Sequence, residues 1–188
     1  MGLKSDRWII EQCEQHQLIE PYVREIIKQR NGQKIISFGT SSYGYDIRLA
    51  DEFKIFHNVN TTVVDPKAFT EANCIDYKGD ICIIPPNSFV LARSLEYVKM
   101  PSNVTAIVTN KSTYARTGVV SPITVLEAGW HGFITLEFSN TTPLPAKLYA
   151  HEGALQLLFF EGDEQCLTDY AKRAGKYHNA QALELPKL

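Results

Sequence analysis

Ser42-Tyr43-Gly44-Tyr45-Asp46-Ile47-Arg48-Leu49 alternates small or polar residues with large apolar ones, and a period of two is the mark of a half-buried β-strand. Outward from it, similar short runs recur at Glu52–Phe56, Asp80–Ile84, Ser88–Arg93, Val104–Thr109, Phe133–Phe138 and Leu155–Phe160, separated by Pro, Gly and Asn clusters. Most of these runs lie too close together for crossover helices, which argues against a βαβ arrangement. The pattern predicts a mainly β fold, a distorted barrel or jelly-roll. Helical periodicity is confined to the start of the chain. Ser5 is placed to cap a helix carrying Trp8, Ile9 and Cys13, and Tyr22, Val23, Ile26 and Ile27 predict a second helix from Pro21 to Asn31-Gly32. Residues 1–188 read as a single domain with a helical segment over 1–32 and a polar tail over 169–188. Such a tail is either frayed or ordered by something it covers.

With 188 residues, 44 % of them hydrophobic, the chain can bury a core without a disulfide or metal staple. Nineteen basic and twenty-one acidic residues leave a net charge of −2, so there is no overall electrostatic case for nucleic acid or a membrane surface as partner. No apolar run approaches the ~18 residues of a membrane span, and the polar opening does not read as a signal peptide. Cys13, Cys74, Cys82 and Cys166 form no CxxC pair, which points to reduced thiols and a cytoplasmic protein. The five histidines show no HExxH or HxH spacing, so no protein-held metal is expected.

Three stretches could carry chemistry. Asn110-Lys111-Ser112-Thr113-Tyr114-Ala115-Arg116-Thr117-Gly118 sets two cations and several hydroxyls on a turn, which suits phosphate oxygens and equally suits a solvated loop. In Phe133–Asn140, Ile134, Leu136 and Phe138 share one face and Thr135 and Glu137 the other. Burial would raise the Glu137 carboxyl toward the range of a general acid/base; a wet strand face would leave it ordinary. Leu126–Gly132 places Trp130 in a tight glycine turn, as a stacking surface or a core residue. Gln156 interrupts an apolar run, and a buried amide there needs partners. A zinc deaminase motif (HxE with PCxxC), a GxSxG elbow and a Walker loop are all absent.

Ser41–Arg48 (SSYGYDIR), Asp80–Asn87 (DICIIPPN), Lys111–Arg116 (KSTYAR), Thr135–Lys147 (TLEFSNTTPLPAK), Gln156–Phe160 and Gly175-Lys176-Tyr177 together resemble the dCTP deaminase family, over nearly the whole chain. The resemblance implies a fold of the trimeric dUTPase type, a homotrimer with sites between subunits, and hydrolysis of dCTP to dUTP and ammonia without zinc. In that reading Glu137 shuttles protons, and Ser112 and Arg116 position the water and stabilise the tetrahedral intermediate. Lys111, Thr113, Tyr114, Ala115, Thr135, Leu136, Gln156, Tyr170, Lys176 and Gln181 would bind substrate. Mg²⁺ would arrive on the triphosphate, and dTTP would be a feedback inhibitor.

The chain departs from the family's usual pattern over Thr117–His131, where Pro122 also removes a backbone N–H, and Ala180 stands where a tail glutamine is expected, with Gln181 one place later. The altered wall leaves open a 5-modified dCTP as substrate. Glu127-Ala128-Gly129-Trp130-His131-Gly132 is similar to a dUTPase turn and leaves open a bifunctional deaminase and dUTPase. A silent protein that binds dCTP or dTTP is the reading from a different class.

Overall fold

The computed structural model describes residues 2–187. In chain order the elements are β1 (Gly2–Leu3), α1 (Asp6–His16), β2 (Ile19–Glu20), β3 (Ile27–Arg30), β4 (Gln33–Ser41), β5 (Gly44–Phe56), β6 (Cys74–Lys78), β7 (Ile81–Ile84), β8 (Phe89–Lys99) and β9 (Val104–Asn110). They continue with α2 (Ser112–Ala115), β10 (Val119–Val120), β11 (Thr124–Leu126), β12 (His131–Asn140), β13 (Ala146–Tyr149) and β14 (Gly153–Glu161). The main sheet runs β10-β12-β8-β5-β14-β9-β11, with β7 and β13 paired separately.

Chain connectivity forces this sheet to curl. Its two ends, β10 and β11, are joined only by residues 121–123, a link that reaches at most roughly 14 Å. Seven strands laid flat at about 4.8 Å spacing would hold those ends roughly 29 Å apart. The mainly β, curled architecture expected from the short alternating runs is what forms. Its inside is the core: Ile134, Leu136 and Phe138 from β12, Val90 and Ala92 from β8, Ile47 and Leu49 from β5, and Leu155, Leu157 and Phe159 from β14 are all buried.

The deciding stretch folds differently in detail. Ser42 and Tyr43 form the turn of the β4–β5 hairpin, and Tyr43 is 55 % exposed instead of sharing the inward face of Tyr45. Both faces of the strand beyond it are covered, so Asp46 is buried at 5 % exposure. Glu52–Phe56 is no separate strand but the continuation of the 13-residue β5.

The first predicted helix is present as α1, which buries Ile9 and Cys13. The second is not. Residues 27–41 form the β3–β4 hairpin, with Asn31 and Gly32 at φ 51° and 76°. Two positive φ values in an Asn-Gly pair are those of a type I′ hairpin turn, so the dipeptide that looked like a helix terminator is a strand connector. Pro21, without an N–H, and the β-branched Val23, Ile26 and Ile27 favour the extended chain over the helix.

Gly153 opens β14 against β4, where a Cβ would lie 1.9 Å from the Ser37 carbonyl oxygen. Gly153→Ala must push two closely packed backbones apart, and we expect a loss of about 1–3 kcal/mol, read as a lowered urea midpoint at unchanged slope.

Candidate active site

β12 decides where the carboxylate goes. Its apolar residues 134, 136 and 138 face the core, so Thr135 and Glu137 project from the opposite face, as the alternation predicts. That face is not wet. Glu137 lines a cavity of about 470 Å³ walled by Val64, Phe69, Phe89, Leu91, Val125 and Trp130, among others. Burial pushes the Glu137 carboxyl above the usual carboxylate range, because the apolar wall penalises its charged form.

The tail is ordered over this cavity. Trp130 Nε1 donates to the Tyr177 carbonyl at 2.9 Å, Asn179 N to the His131 carbonyl at 2.8 Å, and Phe133 N to the Ala180 carbonyl at 2.9 Å. Glu184 N then donates to Thr135 Oγ1 at 2.9 Å. Trp130 is thus both a core residue and the tail's anchor. Tyr170 lines the cavity, its hydroxyl accepting from Tyr177 N at 3.0 Å. Gln181 does not line it: its Nε2 donates to Asn179 Oδ1 at 2.9 Å, and Ala180 takes the position facing the cavity. Lys176 lies over the Tyr177 ring and donates to the Lys187 carbonyl.

The basic stretch stands elsewhere. Residues 112–115 make the short helix α2, where a loop was expected, directly after β9. Ser112, Thr113, Ala115 and Arg116 are exposed, while Tyr114 turns into the core against the Phe138 ring, its hydroxyl accepting from Tyr149 N at 3.2 Å. The Tyr114 and Leu136 side chains therefore belong to the core, and only their backbones face outward. Lys111 pairs with Asp46, and Gln156 Nε2 donates to Asp46 Oδ1 at 3.1 Å and Ser41 Oγ at 3.2 Å. None of residues 111–116 is among the described residues lining the Glu137 cavity. One chain therefore carries two separate clusters: a carboxylate in an apolar cavity and a cationic, amide-bearing group of side chains.

Comparison with known proteins decides the family. The family model described as dCTP deaminase-like matches residues 3–162. The chain is 58 % identical to a dCTP deaminase of Cupriavidus metallidurans and 56 % identical to one of Ralstonia pickettii, each match covering 100 % of both chains. The chain belongs to the dCTP deaminase-like family. It is an enzyme of that family. In fold it is similar to the 2′-deoxycytidine 5′-triphosphate deaminase of Agrobacterium tumefaciens, with a TM-score of 0.61 at 16 % identity. That match covers 86 % of this chain and 48 % of the other.

For a dCTP deaminase-like chain, some of the supporting residues escape sequence reading. Asp46 looked like the polar side of a strand, yet it joins Lys111 to Gln156. Asn140, buried, donates to the carbonyls of Ile84, Pro85 and Leu144 and accepts from Thr142, which fixes the end of β12. A polar residue closing an otherwise apolar alternation was the available signal. Burial pushes the thiols of Cys13 and Cys82 up to about 12, as small core residues of low reactivity.

Proposed function

We propose that this enzyme hydrolyses the C4 amino group of dCTP, giving dUTP and ammonia. The observation that carries the reading is Glu137, a carboxylate with a raised pKa on the wall of a cavity large enough for a nucleoside. Water attacks C4 as its proton passes to Glu137, which delivers it to N3. The C4–N bond of the tetrahedral intermediate then breaks, Glu137 relays the second water proton, and ammonia leaves. A carboxyl whose pKa burial has raised can both take and return a proton. Ser112 would hold the water, and Arg116 would offset charge on the intermediate, so the step calls for no zinc. Feeding dUMP and dTTP synthesis, the enzyme would act in the cytoplasm.

Lys111, Arg116, Gln156, Tyr170 and Lys176 would bind triphosphate and sugar, with Thr113, Ala115, Thr135 and the backbones of Tyr114 and Leu136 framing the site. Asp46, the carboxylate beside this cradle, is already taken by Lys111 and Gln156. That donor set fits a Mg²⁺ carried by the phosphates, a hard cation that keeps phosphate and water oxygens. When bound, the ion would neutralise part of the triphosphate charge.

The separation of the two clusters supports a homotrimer whose sites take Ser112 and Arg116 from one subunit and Glu137 from the next. Trimers refolded from an equal mixture of Ser112→Ala and Glu137→Gln chains are expected to recover roughly a quarter of wild-type activity, since a ring of heterologous contacts pairs intact halves at that frequency. Recovery of none places both residues in one subunit. The primary test is incubation of the purified chain with dCTP and Mg²⁺, following cytosine absorbance and ammonia release. Absence of turnover would refute the assignment.

A second reading keeps the same chemistry with a 5-substituted cytosine. Thr124 and Val125, from the stretch that departs from the family pattern, line the cavity with Leu91 and Phe89 and offer a methyl-sized group an apolar wall. The same wall would receive the methyl of dTTP as feedback inhibitor. A panel of 5-substituted dCTP analogues, with kcat/KM no higher than for dCTP, would favour dCTP.

A further inference from the structure

We propose that Ser94 is a positioning residue for the proton-shuttling carboxylate: its hydroxyl pins a bulge in β8 that sets Glu137 across from Leu91 and away from Arg93. The inference rests on reading Glu137 as that shuttle.

The inward face of β8 carries Val90, Ala92, Ser94, Glu96 and Val98, all buried, so two polar residues stand at core positions. They mark a break in the ladder. β12 pairs Phe133 with Tyr97 and Thr135 with Arg93, so Ile134 alone faces the three residues 94–96. The Ile134 N–H donates to the Ser94 hydroxyl at 2.8 Å, and that hydroxyl donates to the Glu96 carbonyl at 2.7 Å, closing the bulge on itself.

Burial alone does not choose this register. A slip of one residue turns an apolar face outward, but three residues against one is an excess of two, which leaves every side chain on its own face. A ladder continued unbroken from the Phe133–Tyr97 pair would keep the same faces buried and set Glu137 across from Arg93. The bulged ladder sets it across from Leu91, on the cavity wall. Arg93, across from Thr135, turns to Glu52, with Nε and Nη2 each 2.9 Å from a carboxylate oxygen, and lies over the Phe133 ring. The other titratable groups lining the cavity, among the described residues, are Tyr170, Tyr177 and two carboxylates already paired, Glu127 with Arg173 and Glu184 with Lys187. Burial therefore raises the Glu137 carboxyl with no cation from β8 to offset it. Bulges beside reactive groups commonly re-aim a side chain, and here the bulge chooses its neighbour.

The test reads Glu137 directly, by carbon-13 NMR titration of the full chain labelled in glutamate, the signal being assigned by its loss in Glu137→Gln. In Ser94→Ala the buried Ile134 N–H loses its acceptor, and the ladder supplies another only by running on unbroken, which draws Glu137 toward Arg93. The proton affinity of Glu137 is expected to fall about tenfold or more, the scale for a carboxylate that gains a cation within ~4–6 Å. Arg93→Met should leave the wild-type titration unchanged and restore it in the Ser94→Ala background. Turnover of dCTP by Ser94→Ala should fall about 100-fold, the scale of a small misplacement at a reacting group. A Glu137 titration equal in wild type and Ser94→Ala, or a fall that persists in the Ser94→Ala/Arg93→Met double variant, would each overturn the proposal. So would a titration moved by Arg93→Met alone, a result that needs no Ser94 variant to fold. Wild type that turns over dCTP, with no difference in titration, sinks this inference alone; the expected titrations in a wild type without turnover sink the deaminase reading and leave the register argument standing.

Discussion

Glu137→Gln is expected to lower dCTP turnover by about 100- to 10,000-fold, the range for removing a positioned general acid/base, while dCTP still binds. Steady-state kinetics and calorimetry on one preparation check both halves. The variant should also be more stable than wild type at neutral pH. Burial raises the Glu137 carboxyl above its ordinary 4.5, so the folded chain holds its proton more tightly than the unfolded chain does. The ionised form consequently costs stability above the folded pKa, and this cost disappears below about 4.5, where both states are protonated. Gln carries no such charge. Its Tm advantage should be present at pH 8 and close as the pH falls toward 4, and a variant less stable than wild type at pH 8 would contradict the burial. Wild-type kcat should fall on the acid side with an apparent pKa above 4.5, since water must give its proton to a carboxylate.

Glu96→Ala is expected to cost about 3–5 kcal/mol, the scale for leaving one member of a buried ion pair without its partner. The Glu96 side chain is 0 % exposed, with Oε1 accepting from Arg48 Nε at 2.6 Å and Oε2 from Arg48 N at 2.9 Å. Arg48 in turn donates to the Pro21 carbonyl at 3.2 Å and lies over the Phe38 ring, tying β5 and β8 to the chain before β3. Urea unfolding would measure the loss, a large share of the 5–15 kcal/mol that holds an ordinary domain together. Glu96→Gln should lose less, because a neutral amide oxygen can still accept. The double variant Arg48→Met with Glu96→Leu should recover most of the stability, since apolar groups of similar volume leave no charge unpaired.

The β12 alternation made the Glu137 face legible before any coordinates, because a strand's period of two needs only local sequence. Whether that face was wet or dry was not legible: its wall comes from residues 64, 69, 89, 91 and 125, remote in the chain and assembled only by the curl. The same limit explains Asn31-Gly32, where a local signal fits either a helix end or a hairpin and strand pairing chooses. It also explains Asp46, whose neighbours Lys111 and Gln156 lie 65 and 110 positions away. The resemblance located Lys111–Arg116 by motif, and the structure then separated that stretch from the Glu137 cavity.

What the sequence determined by itself was local: the strand periods, the apolar face of β12, the first helix, and a motif set specific enough to point to the family. The tertiary structure decided what depends on meetings between distant segments. It folded Ser42-Tyr43 into a turn, covered both sides of the strand that follows, and ordered the tail through Trp130 and Thr135. The physical reason is range: hydrophobic alternation is set within a few residues, whereas burial, and with it the raised pKa of Glu137, is a property of whatever the fold brings alongside.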